Sequence, residues 1–515
     1  MIKELTLSIS PKEASDEKLI RRAIIKHLDI PKEELTAINV MRKSIDARQR
    51  VIKFNVRVDA YINEKLKPES FNPKFKNVTN GKRVVIVGSG PAGLFSALKL
   101  IENGYKPIIL ERGKQVKERK LDIAKLNRES IVDEDSNYAF GEGGAGTFSD
   151  GKLYTRSKKR GNVRDVLDLL IFHGADANIG VDAHPHIGTN KLPRIIQKIR
   201  ETIINYGGEI YFSHRVSDLI IKDSKILGVI ANGEKFEGEA VILATGHSAK
   251  DIYELLHEKN IKIEPKAFAM GVRVEHPQQI IDSIQYHCEI RDDYLPAAAY
   301  SLVSQVEDRG VYSFCMCPGG FIVPAATAPD ELVVNGMSPS MRNSKYANSG
   351  MVVQINLEDL SNYKDHGIMA GLKFQEDLER MAFINGGIGQ IAPAQRLEDF
   401  VRGKVSNDLP DTSYHPGIVS SPLHMWLPEV IGPRLQKGFK TFERRMKGFL
   451  TNEAVVLGVE SRTSSPLRIP RDKSSLQHPQ ISGLFPAGEG AGYAGGIVSA
   501  AVDGQRIADA IEIYL

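Results

Sequence analysis

The sequence predicts an α/β chain: a Rossmann-type domain on a parallel sheet, an α+β domain inserted into it, and a small β-α-β-β domain ahead of both. Three observations carry this expectation. Residues 84–93 read VVIVGSGPAG, a buried strand that runs into Gly88, Gly90 and Gly93 and then into an apolar helical pattern. Residues 483–510, near the far end of the chain, hold a second glycine-rich turn between a short strand and a small-residue helix. The stretch between about 263 and 454 has no such unit, so the Rossmann domain closes only with the last part of the chain and this stretch is an insertion. The expected division is 1–62, a small α+β domain; 63–82, a linker; 83–262, the first part of the Rossmann domain; 263–454, a substrate or cap domain; and 455–515, the C-terminal part of the Rossmann domain.

The N-terminal unit follows from local patterns. Leu5–Ile9 alternates like a strand, and Ser15–Leu28 has a serine cap and helical periodicity. Two strand-like runs, about 36–43 and 50–60, flank a polar turn. No cofactor signal lies here, and two readings stand: a module for a protein partner or self-association, and a simple packing appendage. The polar, Pro- and Asn-containing stretch 63–82 reads as a linker.

The decapeptide at 84–93 has a mechanism. Gly88 permits the tight turn, Gly90 leaves room for a pyrophosphate at the backbone, and Gly93 lets the helix pack against the strand. Ser89, Pro91 and Ala92 complete the loop, whose helix N-terminus offers free N–H groups to phosphate. A second strand, Ile108–Glu111, ends in an acid 23 residues after Gly88, the spacing for a carboxylate on a ribose hydroxyl. Arg112 follows it. These features predict a bound dinucleotide. Next come a charged helix, about 114–127, and the cluster GEGGAGTFSDGK at 141–152, where dense glycine suits the close passage of a large flat ligand. Arg156, Lys158, Lys159, Arg160 and Arg164 form a basic run that reads as a solvated face. An amphipathic helix at 190–206, a strand at 209–212, three short β runs and EAVILATGH at 239–247 complete the domain's first part. Gly386-Gly387-Ile388-Gly389 follows a helical pattern, not a strand, and is rejected as a second nucleotide fingerprint.

The run GLFPAGEGAGYAGGIVSAAVDGQRIADA at 483–510 resembles the C-terminal FAD motif of two-dinucleotide-binding-domain flavoproteins. By that resemblance FAD is the dinucleotide. Gly488 and Glu489 would meet its ribityl–pyrophosphate part, and the helix at Gly495-Gly496-Ile497 would point its N-terminus at the flavin N1/C2=O edge. Many relatives carry Asp where this chain has Glu489, which resembles the fumarate reductase branch. Ala244-Thr245-Gly246 looks like the family's turn against the cofactor, and Val216 stands where relatives flank the adenine. Gly144, Ala145, Gly146 and Thr147 correspond to the segment that covers pyrophosphate and flavin. With FAMGVRVEHPQ (268–278), YSFCMCPGGFIVPAAT (312–327), NGMSPSMRNSKYANSG (335–350) and ESRTSSPLRI (460–469), the chain resembles a bacterial family of uncharacterised FAD-dependent dehydrogenases, related to fumarate reductase-like and geranylgeranyl reductase-like proteins. The resemblance implies redox chemistry and supplies no substrate. No dedicated NAD(P) domain is present, so NAD(P)H would bind transiently over the flavin.

Flavin chemistry needs a donor or acceptor carbon at N5, a clamp on the substrate and often an acid or base. Arg273 and Arg462 are candidate clamps for a carboxylate or phosphate. His276 is a candidate proton donor, and His247 sits nearer the cofactor by motif. Cys315 and Cys317, one residue apart in a strand-like run, project to one face. Three readings stand for them: a redox disulfide working with the flavin, a soft-metal site, and buried structural thiols. No metal site is expected. Tyr300, Asn335 and Ser338 are further pocket candidates.

Composition bounds the partners. The chain has 515 residues, 42% apolar and 26% charged, an ordinary globular balance with room for two or three domains. A net charge of +4 gives no argument for nucleic acid or membrane. No N-terminal leader and no apolar run of ~18–20 residues is seen, and three cysteines suit a reducing cytoplasm. The leading expectation is an FAD-dependent oxidoreductase that transfers hydride at flavin N5 to or from a small organic substrate. An NAD(P)H-dependent flavin monooxygenase, an RNA-modifying flavoprotein and a flavin-binding protein without turnover stay open.

Overall fold

Four consecutive β-branched residues, Val84–Val87, need cover on both faces, and the structure gives them the centre of a parallel sheet. The computed structural model describes residues 1–66, 71–155 and 161–515. Arg156, Lys158, Lys159 and Arg160 of the basic run, and residues 67–70 of the expected linker, lie outside the described residues. The sheet has five strands in the order Leu484–Pro486, Ala240–Leu243, Arg83–Val87, Lys106–Leu110, Glu209–Tyr211, all parallel. Val84 and Ile86 face helices Pro91–Asn103, Leu192–Asn205 and Ile497–Tyr514. Val85 and Val87 face helix Lys250–Glu258 and an antiparallel meander, Val216–Lys222, Lys225–Ala231 and Glu234–Glu237. The period of two along one strand thus builds two hydrophobic layers.

The first and last helices of this domain are packed backbone to backbone. A Cβ at Gly504 would lie 2.1 Å from the Ala92 carbonyl oxygen. Ser96 Oγ donates to the Gly504 carbonyl at 2.9 Å. This contact brings the two glycine-rich turns, nearly 400 residues apart in sequence, to one edge of the sheet.

The insertion is built on a mixed sheet in the order Val303–Val306, Arg309–Pro324, Tyr346–Ile355, Phe268–Pro277, Val455–Glu460, Ala392–Arg396, Ile418–Ser420, with Val334–Met337 paired to Arg309–Pro324. Helices Ala370–Asn385 and Gly432–Arg445 pack on it. Strand Val455–Glu460 therefore belongs to the inserted sheet, where it lies between Phe268–Pro277 and Ala392–Arg396. The expected boundary at 454/455 moves past it, because an all-buried hydrophobic strand reads the same in either sheet. A short ladder of Glu264–Pro265 with Leu467–Arg468 ties the outgoing and returning chains together.

The N-terminal unit runs strand Ile2–Ile9, helices Pro11–Ala14 and Glu17–Leu28, strand Leu35–Asp46, strand Lys53–Ile62, with the last strand in the middle of an antiparallel sheet. Ile20 and Ile24 of the longer helix fill its own small core with Leu7, Val56 and Val58. It touches the rest of the chain through its edge strand: Lys43 N donates to Val181 O at 3.0 Å, and Ala183 N to Lys43 O at 2.9 Å. Among the described residues no helix is long and apolar enough to cross a membrane.

Candidate active site

A cavity of ≈ 390 Å³ opens along the carboxyl edge of the parallel sheet, the edge where ligands of doubly wound folds bind. It runs from Arg215 and Val216 at one end to Phe314, Cys315 and Asn335 of the inserted sheet at the other. Its walls bring together Gly88, Gly90, Pro91, Ala92, Glu111, Arg112, Gly144, Ala145, Gly146, Val216, Ala244, Thr245, Gly246, Gly488, Glu489, Gly495, Gly496 and Ile497. Ser89, Gly93 and Thr147 stand behind this surface. Ser89 and Thr147 are fully buried, and Thr147 Oγ1 closes the glycine turn by donating to Glu142 O at 2.7 Å.

Each glycine of the first turn has a different reason. Gly88 has φ +103, and a Cβ there would meet Ala244 O at 2.5 Å. A Cβ on Gly93 would meet Gly88 O at 2.0 Å, so the helix can lie this close to the turn only without one. Gly90 has extended backbone (φ −70, ψ −178), and the nearest atom to its virtual Cβ is Gly144 Cα at 3.9 Å. Gly90 is therefore required by neither backbone nor packing, and the space it leaves belongs to the cavity. At Gly246 and Gly495 a Cβ would meet nothing within 4 Å. Helices Pro91–Asn103 and Ile497–Tyr514 both begin at the wall without a side-chain cap, which leaves their first N–H groups free for an anion. An elongated cavity with uncapped helix starts at two points and glycine cradles between them fits a dinucleotide.

Glu111 does more structural work than its spacing suggests. One carboxylate oxygen accepts from Ser89 N at 2.9 Å and Ser89 Oγ at 2.8 Å, and the other accepts from Gly113 N at 2.9 Å and Gly141 N at 3.0 Å. These four donors use the lone pairs of the carboxylate. Glu111 thus pins the first glycine loop to the 141–152 segment. Arg112 is likewise committed: it donates to Asp135 and Asp251 and its guanidinium lies 4.0 Å over the Phe140 ring. Sequence reasoning does not single out Asp503. This buried acid in the apolar run 497–504 of the last helix accepts from Gly488 N at 2.9 Å and pairs with Arg471 at 2.6 Å, and so orients the second glycine turn. A lone carboxylate in an apolar helical run was the available signal.

At the far end Cys315 forms part of the wall beside Phe314 and Asn335. Lys152, from the glycine-rich segment, reaches over to place its Nζ 3.7 Å from both Cys315 Sγ and Cys317 Sγ. His247 also lines the cavity, with Nδ1 3.7 Å from the Glu489 carboxylate.

The comparisons agree with this geometry. Residues 267–463 match the model of an FAD-dependent protein, C-terminal domain-like. Residues 82–264 match that of a pyridine nucleotide-disulphide oxidoreductase, and residues 1–61 that of a domain of unknown function. An uncharacterised protein of Clostridium beijerinckii is 40% identical over 516 aligned residues, 96% of each chain. The chain belongs to this family of FAD-dependent oxidoreductases. The FixC protein of Escherichia coli K12 is 24% identical over 38% of this chain and 44% of its own. The structure of CtdE in complex with FAD covers 84% of both chains at 12% identity and a TM-score of 0.34, too distant to carry an argument.

Three expected chemical residues of the oxidoreductase are taken up by contacts within the protein. Arg273 is fully buried and does not line the cavity. Its five N–H donors go to Asn348 Oδ1 at 2.9 Å, Asn335 Oδ1 at 3.4 Å, the Glu460 carboxylate, Cys315 O at 3.0 Å and Cys317 Sγ at 3.8 Å. No donor is left for a substrate carboxylate. Arg462 does line the cavity, but it is held by Glu379 at 2.9 Å, Glu331 at 2.7 Å and Thr327 at 2.8 Å. Lys250 completes that network, 2.5 Å from Glu331 and 3.2 Å from Glu379. His276 is buried in the insertion, with Nε2 2.8 Å from Phe449 O, and burial pushes its pKa down to about 4. A neutral ring outside the cavity is not a proton donor to it. In each case residue type suggested chemistry, and long-range packing, invisible in local pattern, assigned the side chain to the core. Tyr300 and Ser338 are buried too, while Asn335 reaches the wall.

Proposed function

We propose that this FAD-dependent oxidoreductase is a dehydrogenase that moves a hydride between flavin N5 and a small organic substrate at the Phe314–Cys315–Asn335 end of the cavity. The carrying observation is that one cavity joins both glycine turns, the 141–152 segment and the inserted sheet. FAD bound there supplies a two-electron carrier, and the chain's own residues hold, orient and shield it. Gly88, Gly90, Pro91 and Ala92, crossed by Gly144, Ala145 and Gly146, are assigned to the pyrophosphate, with Ser89, Gly93 and Thr147 shaping these turns from behind. Val216 and Arg112 are assigned to the adenine end, and Ala244, Thr245, Gly246, Gly488 and Glu489 to the middle. Gly495, Gly496 and Ile497 are assigned to the flavin edge, where the start of an 18-residue helix favours negative charge. Glu111 acts by holding the loops in register. Phe314, Ile497 and Ala500 make the inner wall apolar and exclude water, while Asn335 and His247 present polar atoms to a substrate.

The test uses FAD-loaded protein reduced with dithionite under argon. It is mixed with small enoyl, imino and carbonyl compounds, and in the oxidised form with their saturated counterparts and with NADH and NADPH. Return or bleaching of the oxidised-flavin bands, with product two hydrogens heavier or lighter, supports the reading and names the bond. No response to any of the three classes in either direction contradicts it.

A further inference from the structure

We propose that Cys315 and Cys317 are a redox-active dithiol at the cavity wall, able to exchange two electrons with the flavin assigned to that cavity. This rests on the FAD reading above and goes beyond it.

The geometry is specific. Strand Arg309–Pro324 pairs Phe314 with Gly350 but Cys317 with Asn348, so the ladder carries a bulge over Cys315 and Met316. Within it Cys315 has φ +49, a left-handed conformation that is strained for a non-glycine residue. A simple pleat is thus not what brings the thiols together. The bulge turns Cys315 into the cavity wall while Cys317 stays fully buried behind it, and both sulfurs meet the Lys152 ammonium at 3.7 Å. Strain kept at one residue on a ligand-facing wall marks a position with a task.

The charges favour a thiolate at one sulfur and a thiol at the other. A hydrogen bond from the Cys317 thiol, with the Lys152 and Arg273 cations, holds Cys315 well below the ordinary thiol range against the effect of burial. The same hydrogen bond and burial push Cys317 well above it. Burial tends to lower Lys152, but the two sulfurs and the Asp150 carboxylate outweigh that and hold its ammonium above its usual range. The other charges facing the pair are Glu460, behind Arg273, and Arg342, paired to Asp150 at 2.8 Å. Two cations against the sulfurs oppose a metal ion, and among the described residues no group of three or more His, Cys, Asp or Glu side chains could hold one. A low-pKa thiolate on an accessible wall beside a protonated partner thiol is the arrangement of a dithiol couple.

The step balances. Cys315 thiolate and Cys317 thiol form one S–S bond and release one proton and two electrons. The oxidised flavin takes the two electrons and a proton and becomes the reduced anion. In reverse, the disulfide takes electrons from reduced flavin, and Cys317 regains its proton.

The experiment uses the FAD-loaded full chain, oxidised with ferricyanide, which leaves no mixed disulfide on a lone thiol, and freed of excess reagent. Dithionite is titrated anaerobically into wild type and Cys317→Ser, and the thiols of separate samples are trapped with iodoacetamide and mapped by mass spectrometry. Wild type is expected to take up twice the electron equivalents of Cys317→Ser and to carry a Cys315–Cys317 disulfide before titration. In pre-reduced apoprotein at pH 7, Cys315 is expected to alkylate at least about thirtyfold faster than the partly buried Cys288, because roughly thirtyfold is the ratio of a full thiolate to an ordinary thiol and burial and Asp282 push the Cys288 thiol above the ordinary range. Lys152→Met is expected to lose most of that advantage. Bound flavin with equal electron uptake in both proteins, no disulfide and Cys315 no faster than Cys288 overturns the dithiol and leaves the FAD reading standing. Failure of wild type to bind FAD overturns both.

Discussion

Gly90 separates ligand from fold more cleanly than any other position in the site. Its backbone is extended and its virtual Cβ is 3.9 Å from the nearest atom, so a side chain there strains nothing in the protein. Gly90→Asp places a carboxylate where the pyrophosphate is assigned. Two unit charges ~4 Å apart repel by about 4 kcal/mol at an effective dielectric constant of ~20. One displaced charge-assisted hydrogen bond adds about 1.5–3 kcal/mol. The sum, about 5–7 kcal/mol, weakens FAD binding by roughly four to five decades. Gly90→Ala removes the repulsion and leaves only a methyl in the space, so about 1.5–3 kcal/mol of lost hydrogen bonding, or roughly 10- to 150-fold, is expected. Quenching of FAD fluorescence gives the Kd, and circular dichroism with thermal melting reports the fold. Both variants should melt like wild-type apoprotein. Gly93→Ala is the counter-control: its Cβ would lie 2.0 Å from Gly88 O, so it should lower the melting temperature whether or not FAD is present. A Gly90→Asp protein that binds FAD with wild-type affinity would refute the assignment of the turn.

Other perturbations read separate parts of the account. Glu111→Ala orphans four buried donors at about 1–3 kcal/mol each, so chemical denaturation should show a loss of several kcal/mol even in the apoprotein. Gly504→Ala drives a methyl to 2.1 Å from Ala92 O, and should cost about 1–3 kcal/mol and loosen FAD by parting the two helices. Arg462→Met leaves Glu379 and Glu331 facing each other beside Lys250, and should cost about 3–5 kcal/mol in a urea melt. His276 is held neutral, down at about 4 from an ordinary 6.5, so the unfolded chain binds the extra proton first. Its contribution is complete above pH 6.5 and fades as pH falls toward 4, a change of about 3 kcal/mol. His276→Gln should flatten that part of the stability–pH curve and leave the pH dependence of flavin reduction unmoved.

The parts of the site legible in the sequence are those written in contiguous residues. The strand–turn–helix at 84–93 and the turn at 486–497 announce themselves because tight turns and backbone–ligand approach demand glycine at set intervals. The meander and the buried strands follow from periods of two. Contacts over long separations are different. Nothing near Arg273 says that its partners will be Glu460, Asn348 and Cys315, and nothing near Lys152 says that it will reach two sulfurs more than 160 residues away. Glu111 was found by spacing, but its partners Gly113 and Gly141 assemble only when the glycine-rich segment folds back. Strand Val455–Glu460 carried no mark of which sheet would accept it. The bulge at Cys315 is set by pairing with a partner strand and not by the Cys-Met-Cys pattern itself.

The most direct test of the central claim is the visible spectrum of the purified full chain after saturation with FAD and removal of the excess, calibrated against total protein. The account predicts the two oxidised-flavin bands at one FAD per chain, shifted from the free-cofactor spectrum and bleached by anaerobic reduction. A chain that is folded by circular dichroism yet retains no flavin would contradict it.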